Sequence, residues 1–130
     1  LLGDGYDDYI KPFRTIEDLH VHLALGAFLL RTARQYGWPR PLVEELVALL
    51  SAGGALARSS PQSPLVHLAL AAQLRAFRAF VTASAPHWDA VDANGRTRWR
   101  RDQALLTIAD TARTARTEAA WRSLAAAGPR

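Results

Sequence analysis

Residues 97–127 read TRWRRDQALLTIADTARTARTEAAWRSLAAA and lie within the longest run of the chain that is free of glycine and proline. Such a run predicts one continuous helix, which at about 1.5 Å rise per residue would be roughly 45 Å long. Its apolar residues recur mostly at spacings of three and four, so we expect one face of this helix to be buried. The residues of that face are Leu105, Ile108, Ala109, Ala112, Ala115, Ala119 and Leu124.

The first turn of this predicted helix carries three arginines, Arg98, Arg100 and Arg101, and Asp102 offsets only part of their charge. Cations at a helix N-terminus oppose the helix dipole, which favours acids there. Two interpretations stay open from the sequence. Either the arginines extend into solvent, or an anion or an acidic partner lies beside them.

Three further helices are predicted before this one, at residues 15–36, 41–57 and 64–85, because their apolar residues recur with helical spacing. The connections between them are short, and no segment alternates between polar and apolar residues with a period of two. The sequence therefore predicts an all-α, up-and-down four-helix bundle over residues 15–127. Residues 1–14 have no period and predict an irregular segment.

Local signals set the expected ends of these helices. Thr15 is a candidate N-cap for the first helix, and Gly37 occupies the position after its end where a left-handed backbone is common. Ser63 is a candidate N-cap for the third helix. Asn94-Gly95 is a strong turn signal and predicts a loop directly before the last helix.

The composition excludes several classes of protein. The chain has 130 residues, enough for one domain with a core of its own, and its hydrophobic content of 49% is too high for a disordered chain. It contains no cysteine, which excludes disulfides and thiolate chemistry. No signal peptide and no apolar run of about 20 residues is visible. We therefore expect a cytoplasmic protein without a membrane span.

Charge is unevenly distributed along the chain, although the net value is only +4. Residues 1–18 hold five acids against two bases, whereas residues 96–130 hold eight arginines against three acids. The two ends are expected to attract each other, within one chain or between subunits. Because the arginines are interleaved with acids, the sequence does not predict a nucleic-acid interface.

Few side chains form constellations that could carry chemistry. His20 and His22 are two positions apart, so a helix turns them to different faces and no metal site is predicted. The four tryptophans, at positions 38, 88, 99 and 121, lie at or near predicted helix ends. We expect them to pack against the ends of the bundle.

Asp110 is the carboxylate that stands out, since it lies in the middle of the predicted last helix, beside its buried face. A carboxylate at the edge of a helical core can have a raised pKa and act as a general base. The alternative is an ion pair with Arg113, three residues further along the helix and one turn away.

Three stretches of the chain resemble the C-terminal helical domain of the acyl-CoA dehydrogenase family. Residues 3–14, GDGYDDYIKPFR, resemble the crossing from the family's middle β-domain into its helical domain. Residues 35–39, QYGWP, resemble the end of the family's R-x-Q-F-G-x-P motif. In the last helix, Ile108 and Asp110 follow Asp102 at the offsets where the family commonly has isoleucine and glutamate.

The resemblance implies a flavoprotein that dehydrogenates an acyl-CoA substrate at its α,β bond, with FAD as the cofactor. It implies that Asp110 is the base that removes the α-proton of the substrate. It also implies that Arg34, Gln35 and Tyr36 contact FAD, although the arginine of the motif falls on Ala33. A homo-oligomer is expected by the same resemblance.

A member of this family needs an N-terminal helical domain and a β-domain to enclose FAD and acyl-CoA. The chain starts at the domain crossing, without an initiator methionine, so we expect a fragment or a processed product that is not a competent enzyme alone. The alternative function is a stand-alone helical module that binds a partner protein or a small ligand.

Overall fold

Helices make up nearly all of the computed structural model, which describes residues 3–128, and no strand occurs within that range. The five α-helices are α1 (Lys11–Gln35), α2 (Arg40–Ala57), α3 (Pro64–Ser84), α4 (Ala93–Asp102) and α5 (Asp110–Ala127). A π-helical turn, Tyr6–Ile10, leads into α1, and 3₁₀ turns follow α3 and α4 at Ala85–Ala90 and Gln103–Leu106. The predicted all-α helical bundle is confirmed.

The four long helices, α1, α2, α3 and α5, run up and down beside one another. A four-residue connection turns α1 back into α2, and Gln73 of α3 donates a hydrogen bond to the Leu49 carbonyl of α2. Asp110, the first residue of α5, contacts Arg78 near the end of α3. Ala119, further along α5, lies across a cleft from Pro64 at the start of α3. These contacts make α5 antiparallel to α3.

Apolar side chains from α1 to α4 and from the turns between them fill two clusters between the long helices, to which α5 contributes no residue. In the larger cluster Leu29 of α1, Leu46 of α2 and Phe80 of α3 are fully buried. A smaller cluster contains Leu19 and Leu70 and closes the end of the bundle near the α2–α3 loop. The core thus draws on α1, α2 and α3 throughout, as the helical spacing of their leucines predicts.

The chain becomes helical earlier than the sequence predicts. The segment expected to be irregular is helical from Tyr6 onwards, and the Tyr6 N–H donates to the Asp4 carboxylate at 2.9 Å. Thr15 is therefore inside α1 and is not an N-cap; its hydroxyl donates to the Lys11 carbonyl at 3.3 Å. Residues 1 and 2 of the expected segment lie outside the described residues.

The prediction of one continuous helix over residues 97–127 is wrong, because residues 103–109 break it. In a continuous helix the Leu106 carbonyl would accept from the Asp110 N–H. Instead that carbonyl accepts from Arg78 (2.7 Å) and from Arg113. The Asp110 N–H donates to Thr107 at 3.1 Å.

The observed helix boundaries also explain how the arginines of residues 98–101 avoid the N-terminal end of a helix, where cations are unfavourable. The helix there is α4, which begins at Ala93 with Asp92 as its N-cap, and the Gly95 N–H donates to the Asp92 carboxylate at 2.7 Å. Gly95 is thus in the first helical turn and not in a loop. Arg100 and Arg101 lie in the last turn of α4, where the helix dipole favours cations.

Most of the apolar face predicted for the last helix is not buried. Ile108 is 79% exposed, and Ala112, Ala115 and Ala119 are also exposed. The buried side chains of α5 are those of Arg113 and Ala120. The buried surface of this helix is therefore one guanidinium and one small apolar side chain, instead of the predicted apolar face.

Two neighbouring glycines of α2 provide a test of the packing. A Cβ on Gly53 would lie 2.7 Å from Leu23 Cδ2, whereas a Cβ on Gly54 would have only the Arg58 side chain nearby, at 3.8 Å. We expect Gly54→Ala to raise the free energy of unfolding by about 1 kcal/mol, because alanine favours the helix. Gly53→Ala should lose that gain to overpacking against Leu23. Urea unfolding of both variants measures the difference, and an equal stabilisation by both would contradict the close contact of α1 and α2.

Candidate functional site

Asp110 begins α5 directly after the break, and its side chain is 44% exposed. Its Oδ1 accepts from Arg78 Nη2 and, at 2.9 Å, from Arg113 Nη1. The hydrogen bond from Arg78 is the main cause that lowers the pKa of Asp110, and Arg113 adds to it. The ion-pair interpretation is therefore confirmed, and the expectation of a raised pKa is wrong.

Sequence reasoning identified Arg113 as a partner of Asp110 but missed Arg78. Arg113 is three residues further along the same helix, where neighbours on one helix face are expected. Arg78 belongs to α3 and is 32 residues away in sequence. No local pattern marks such a contact, since it depends on how α3 and α5 pack.

Arg113 also joins the last helix to the first through a buried ion pair. Its Nε lies 2.8 Å from Asp18 Oδ2 and its Nη2 lies 2.5 Å from Asp18 Oδ1, a two-pronged arrangement that suits guanidinium and carboxylate. Arg116 adds a contact of 3.2 Å to Asp18 and one of 3.0 Å to the Thr15 hydroxyl. The expected attraction between the acidic and basic ends of the sequence thus occurs within one chain.

His22 lies beside this ion pair and is itself buried. Its Nδ1 is 2.8 Å from the Asp18 carbonyl, and its ring meets the Phe77 ring edge-on with centroids 5.8 Å apart. Burial is the largest cause of the lowered pKa of His22, and the nearby charges of Arg113 and Arg78 act in the same direction. Asp18 opposes them without reversing the shift.

The three residues predicted to contact FAD lie at the other end of α1. Arg34 and Gln35 are exposed and line a shallow hollow together with Arg31. The Tyr36 hydroxyl donates to Asp92, which raises the pKa of Tyr36. Arg31 and Arg34 thus supply two neighbouring guanidiniums, the type of group that contacts phosphate oxygens.

The structure does not bring Asp110 together with these residues in one chain. Asp110 contacts Arg113, which contacts Asp18 of α1. From Asp18 to Gln35 the helix rises about 25 Å. The candidate base and the candidate cofactor residues therefore belong to separate parts of the surface. Among residues 3–128, no group of three or more potential metal ligands is close enough to hold an ion.

Three of the four tryptophans pack together where α1, α3 and α4 meet. Trp88 and Trp99 stack at 5.4 Å between centroids, and Trp38 meets Trp88 edge-on at 5.4 Å. The predicted role in end packing is confirmed for these three but is wrong for Trp121, which is 57% exposed. Arg98 lies over the Phe28 ring at 5.6 Å, so this arginine covers the aromatic cluster.

α3 and the 3₁₀ turn after it, Pro64–Ala90, form one helical stretch that is long and apolar enough to cross a membrane by length and composition. In this fold α3 packs between α2 and α5, with Phe77 and Phe80 buried. It also carries Arg78, which is ion-paired with Asp110. Only 22% of the apolar window is buried in the fold.

Comparisons of the chain with protein-family models, with curated proteins and with solved structures give no match. The resemblance to acyl-CoA dehydrogenases therefore rests on the residues quoted above.

The ion pair between α1 and α5 can be tested by Asp18→Asn, which leaves Arg113 buried without its full counter-charge. We expect the free energy of unfolding to fall by about 3 kcal/mol, since breaking a buried pair costs far more than losing an exposed one. Urea unfolding followed by circular dichroism measures it. Glu17→Gln is the matched control, because Glu17 is exposed. A similar small loss in both variants would contradict the role of the pair.

The buried His22 predicts a loss of stability in mild acid. Because its pKa in the folded chain lies below the unfolded value of about 6.5, the unfolded chain takes up the proton more readily. Stability is full above that value and is lost as the pH falls towards the folded pKa. We expect the urea midpoint to fall between pH 7.5 and pH 5.5. His22→Gln should reduce this dependence to the part that His67 contributes, since the pKa of His67 is also lowered by burial, and His20→Gln, on the exposed side, should keep it.

Proposed function

We propose that this chain is the helical domain of an acyl-CoA dehydrogenase-like flavoprotein of the cytoplasm, and that it is not competent as an enzyme alone. The observation that carries the proposal is the break at residues 103–109. Because the helix restarts at Asp110, its carboxylate lies half-exposed at a bend and is open to a ligand from solvent. This is the residue at which the resemblance expects the base.

The surroundings of Asp110 support one requirement of that role. A base must be ionised before it can accept a proton, and Arg78 and Arg113 keep the pKa of Asp110 low. Both arginines donate to Oδ1, which leaves Oδ2 for the α-proton of a thioester. A low pKa weakens the base in water, but exclusion of water by a bound substrate raises the pKa again.

FAD, when bound, would accept the hydride that leaves the β-carbon of the substrate. In this chain Arg34 and Gln35, together with Arg31, would contact one edge of the cofactor. Since the hollow lies about 25 Å along α1 from the level of Asp110, one chain cannot direct both towards one reacting bond. The proposal therefore includes a homo-oligomer, in which one subunit's hollow and another's Asp110 serve the same cofactor.

A second candidate function is a stand-alone helical module that binds a partner protein. A row of large apolar side chains on the first helical segment favours it, because such rows mark interaction surfaces. The exposed residues of that row are Tyr6, Tyr9, Ile10, Phe13 and Ile16. Under the first proposal this row contacts a preceding domain, and under the second it contacts another protein without any dependence on flavin.

The first proposal is tested on the complete gene product that contains this sequence. We expect the purified protein to be yellow and to oxidise an acyl-CoA with an artificial electron acceptor. Asp110→Asn should lower kcat by about 10²–10⁴-fold, the usual contribution of a general base, with the flavin absorbance unchanged.

Asp102→Asn is the matched control, since Asp102 is an aspartate of the same region that pairs with the adjacent Arg101. Its activity should match that of the unaltered protein. A colourless protein that forms a stable oligomer would reject the first proposal in favour of the second, and full activity of Asp110→Asn would reject the role of Asp110.

A further inference from the structure

An open cleft lies at the end of the bundle where the first and last helices meet. Its volume is about 500 Å³, within the range of roughly 300–1,000 Å³ that is usual for ligand sites. The start of the chain from Tyr6 to Thr15, the loop before α3 and one face of α5 form its walls. Asp110 does not line it, so this cleft is separate from the site proposed above.

Three alanines of α5, Ala112, Ala115 and Ala119, form the apolar wall of the cleft. They belong to the face whose spacing predicts burial, yet they are exposed. The buried side chains of α5 are Arg113, which does not line the cleft, and Ala120, which forms part of its lining. Apolar surface of this kind gains from being removed from water, and the small side chains leave room for a chain of methylene groups.

Positive charge lines the same cleft. Arg116 donates hydrogen bonds to Thr15 and Asp18. Asp18 also accepts two hydrogen bonds from the Arg113 guanidinium. Two carboxylates, those of Asp18 and Asp110, thus pair with three guanidiniums, those of Arg78, Arg113 and Arg116. Arg14 also lines the cleft and lies close enough to Arg116 for the two charges to repel.

The other charged groups of the cleft do not offset this surplus. Lys11 and Asp7 form an ion pair with each other. The imidazole of His67 also lines the cleft, and burial together with the charge of Arg116 lowers its pKa, which keeps it neutral at pH 7. The cleft therefore combines an apolar wall with two arginines. Arg116 shares its counter-charge, Asp18, with Arg113, and Arg14 forms no ion pair with any of residues 3–128.

The geometry points to a binding site for an amphipathic anion. Its carboxylate or phosphate head group contacts Arg14 and Arg116, and its apolar chain lies along Ala112, Ala115 and Ala119. The size of the cleft favours a small molecule over a docked helix, because three turns of a helix about 10 Å wide would fill roughly 1,200 Å³.

Titration calorimetry with octanoate, octyl phosphate, octanol and acetate tests the site, with each ligand kept below its micelle concentration. We expect saturable binding of the two amphipathic anions at one site per chain. Octanol, which lacks the charge, and acetate, which lacks the chain, should bind at least about tenfold more weakly, a difference of roughly 1.4 kcal/mol. The tighter of the two anions identifies the head group as carboxylate or phosphate.

Two variants separate the charge from the apolar wall. Arg14→Gln should weaken octanoate about fivefold, which corresponds to the contribution of roughly 1 kcal/mol from a partly exposed charge pair. Ala115→Phe should abolish binding by filling the cleft. The matched controls are Arg122→Gln and Ala126→Phe, exposed positions of α5 that do not line the cleft. Both should bind octanoate as the unaltered chain does.

Circular dichroism confirms that each variant is folded before it is titrated. The inference is overturned if octanol binds as tightly as octanoate, if Ala115→Phe keeps the affinity, or if neither anion binds saturably. None of these results tests the role of Asp110 or the binding of flavin. Failure of this inference is therefore distinguishable from failure of the proposed function.

Discussion

The ion pair between Asp18 and Arg113 is the interaction on which the rest of the structure depends. It joins residues 95 positions apart, and both side chains are almost fully removed from water. Burying two charges is costly unless the geometry is good and the remaining N–H groups find acceptors. Arg113 meets that condition, because it also donates to Asp110 and to the Leu106 carbonyl. The Arg113 guanidinium thus ties the last helix to the first and, together with Arg78, occupies the carbonyl at the break before Asp110.

The sequence predicts the existence of the first three long helices and most of their ends, the start of α1 excepted. Gly37 has a φ of 64°, the left-handed conformation that its place after α1 predicts. Pro64 begins α3 as expected, although Ser63 makes no capping hydrogen bond through its side chain. The end of α1 and both ends of α2 and α3 are correct to within a residue, whereas the chain is helical nine residues before the predicted start of the first helix.

The last third of the chain could not be predicted in the same way. No glycine or proline marks the break at residues 103–109, because its cause is the pair of arginines that bind the Leu106 carbonyl. The apolar spacing of α5 predicts a buried apolar face, yet the buried side chains of this helix are Arg113 and Ala120. The candidate site depends on the same long-range contacts. The sequence could single out Asp110, but it could not reveal that Arg78 holds it.

The antiparallel arrangement of α1 and α5 has a consequence for how this domain connects to neighbouring segments. Tyr6, near the start of the described chain, and Ser123, near its end, line the same cleft. Polypeptide that enters and polypeptide that leaves therefore do so at one pole of the bundle. Domains with adjacent termini tolerate insertion into a host loop. Such a bundle can be inserted into a loop of a larger protein. Its opposite end, where three tryptophans cluster, would then point away from the site of insertion.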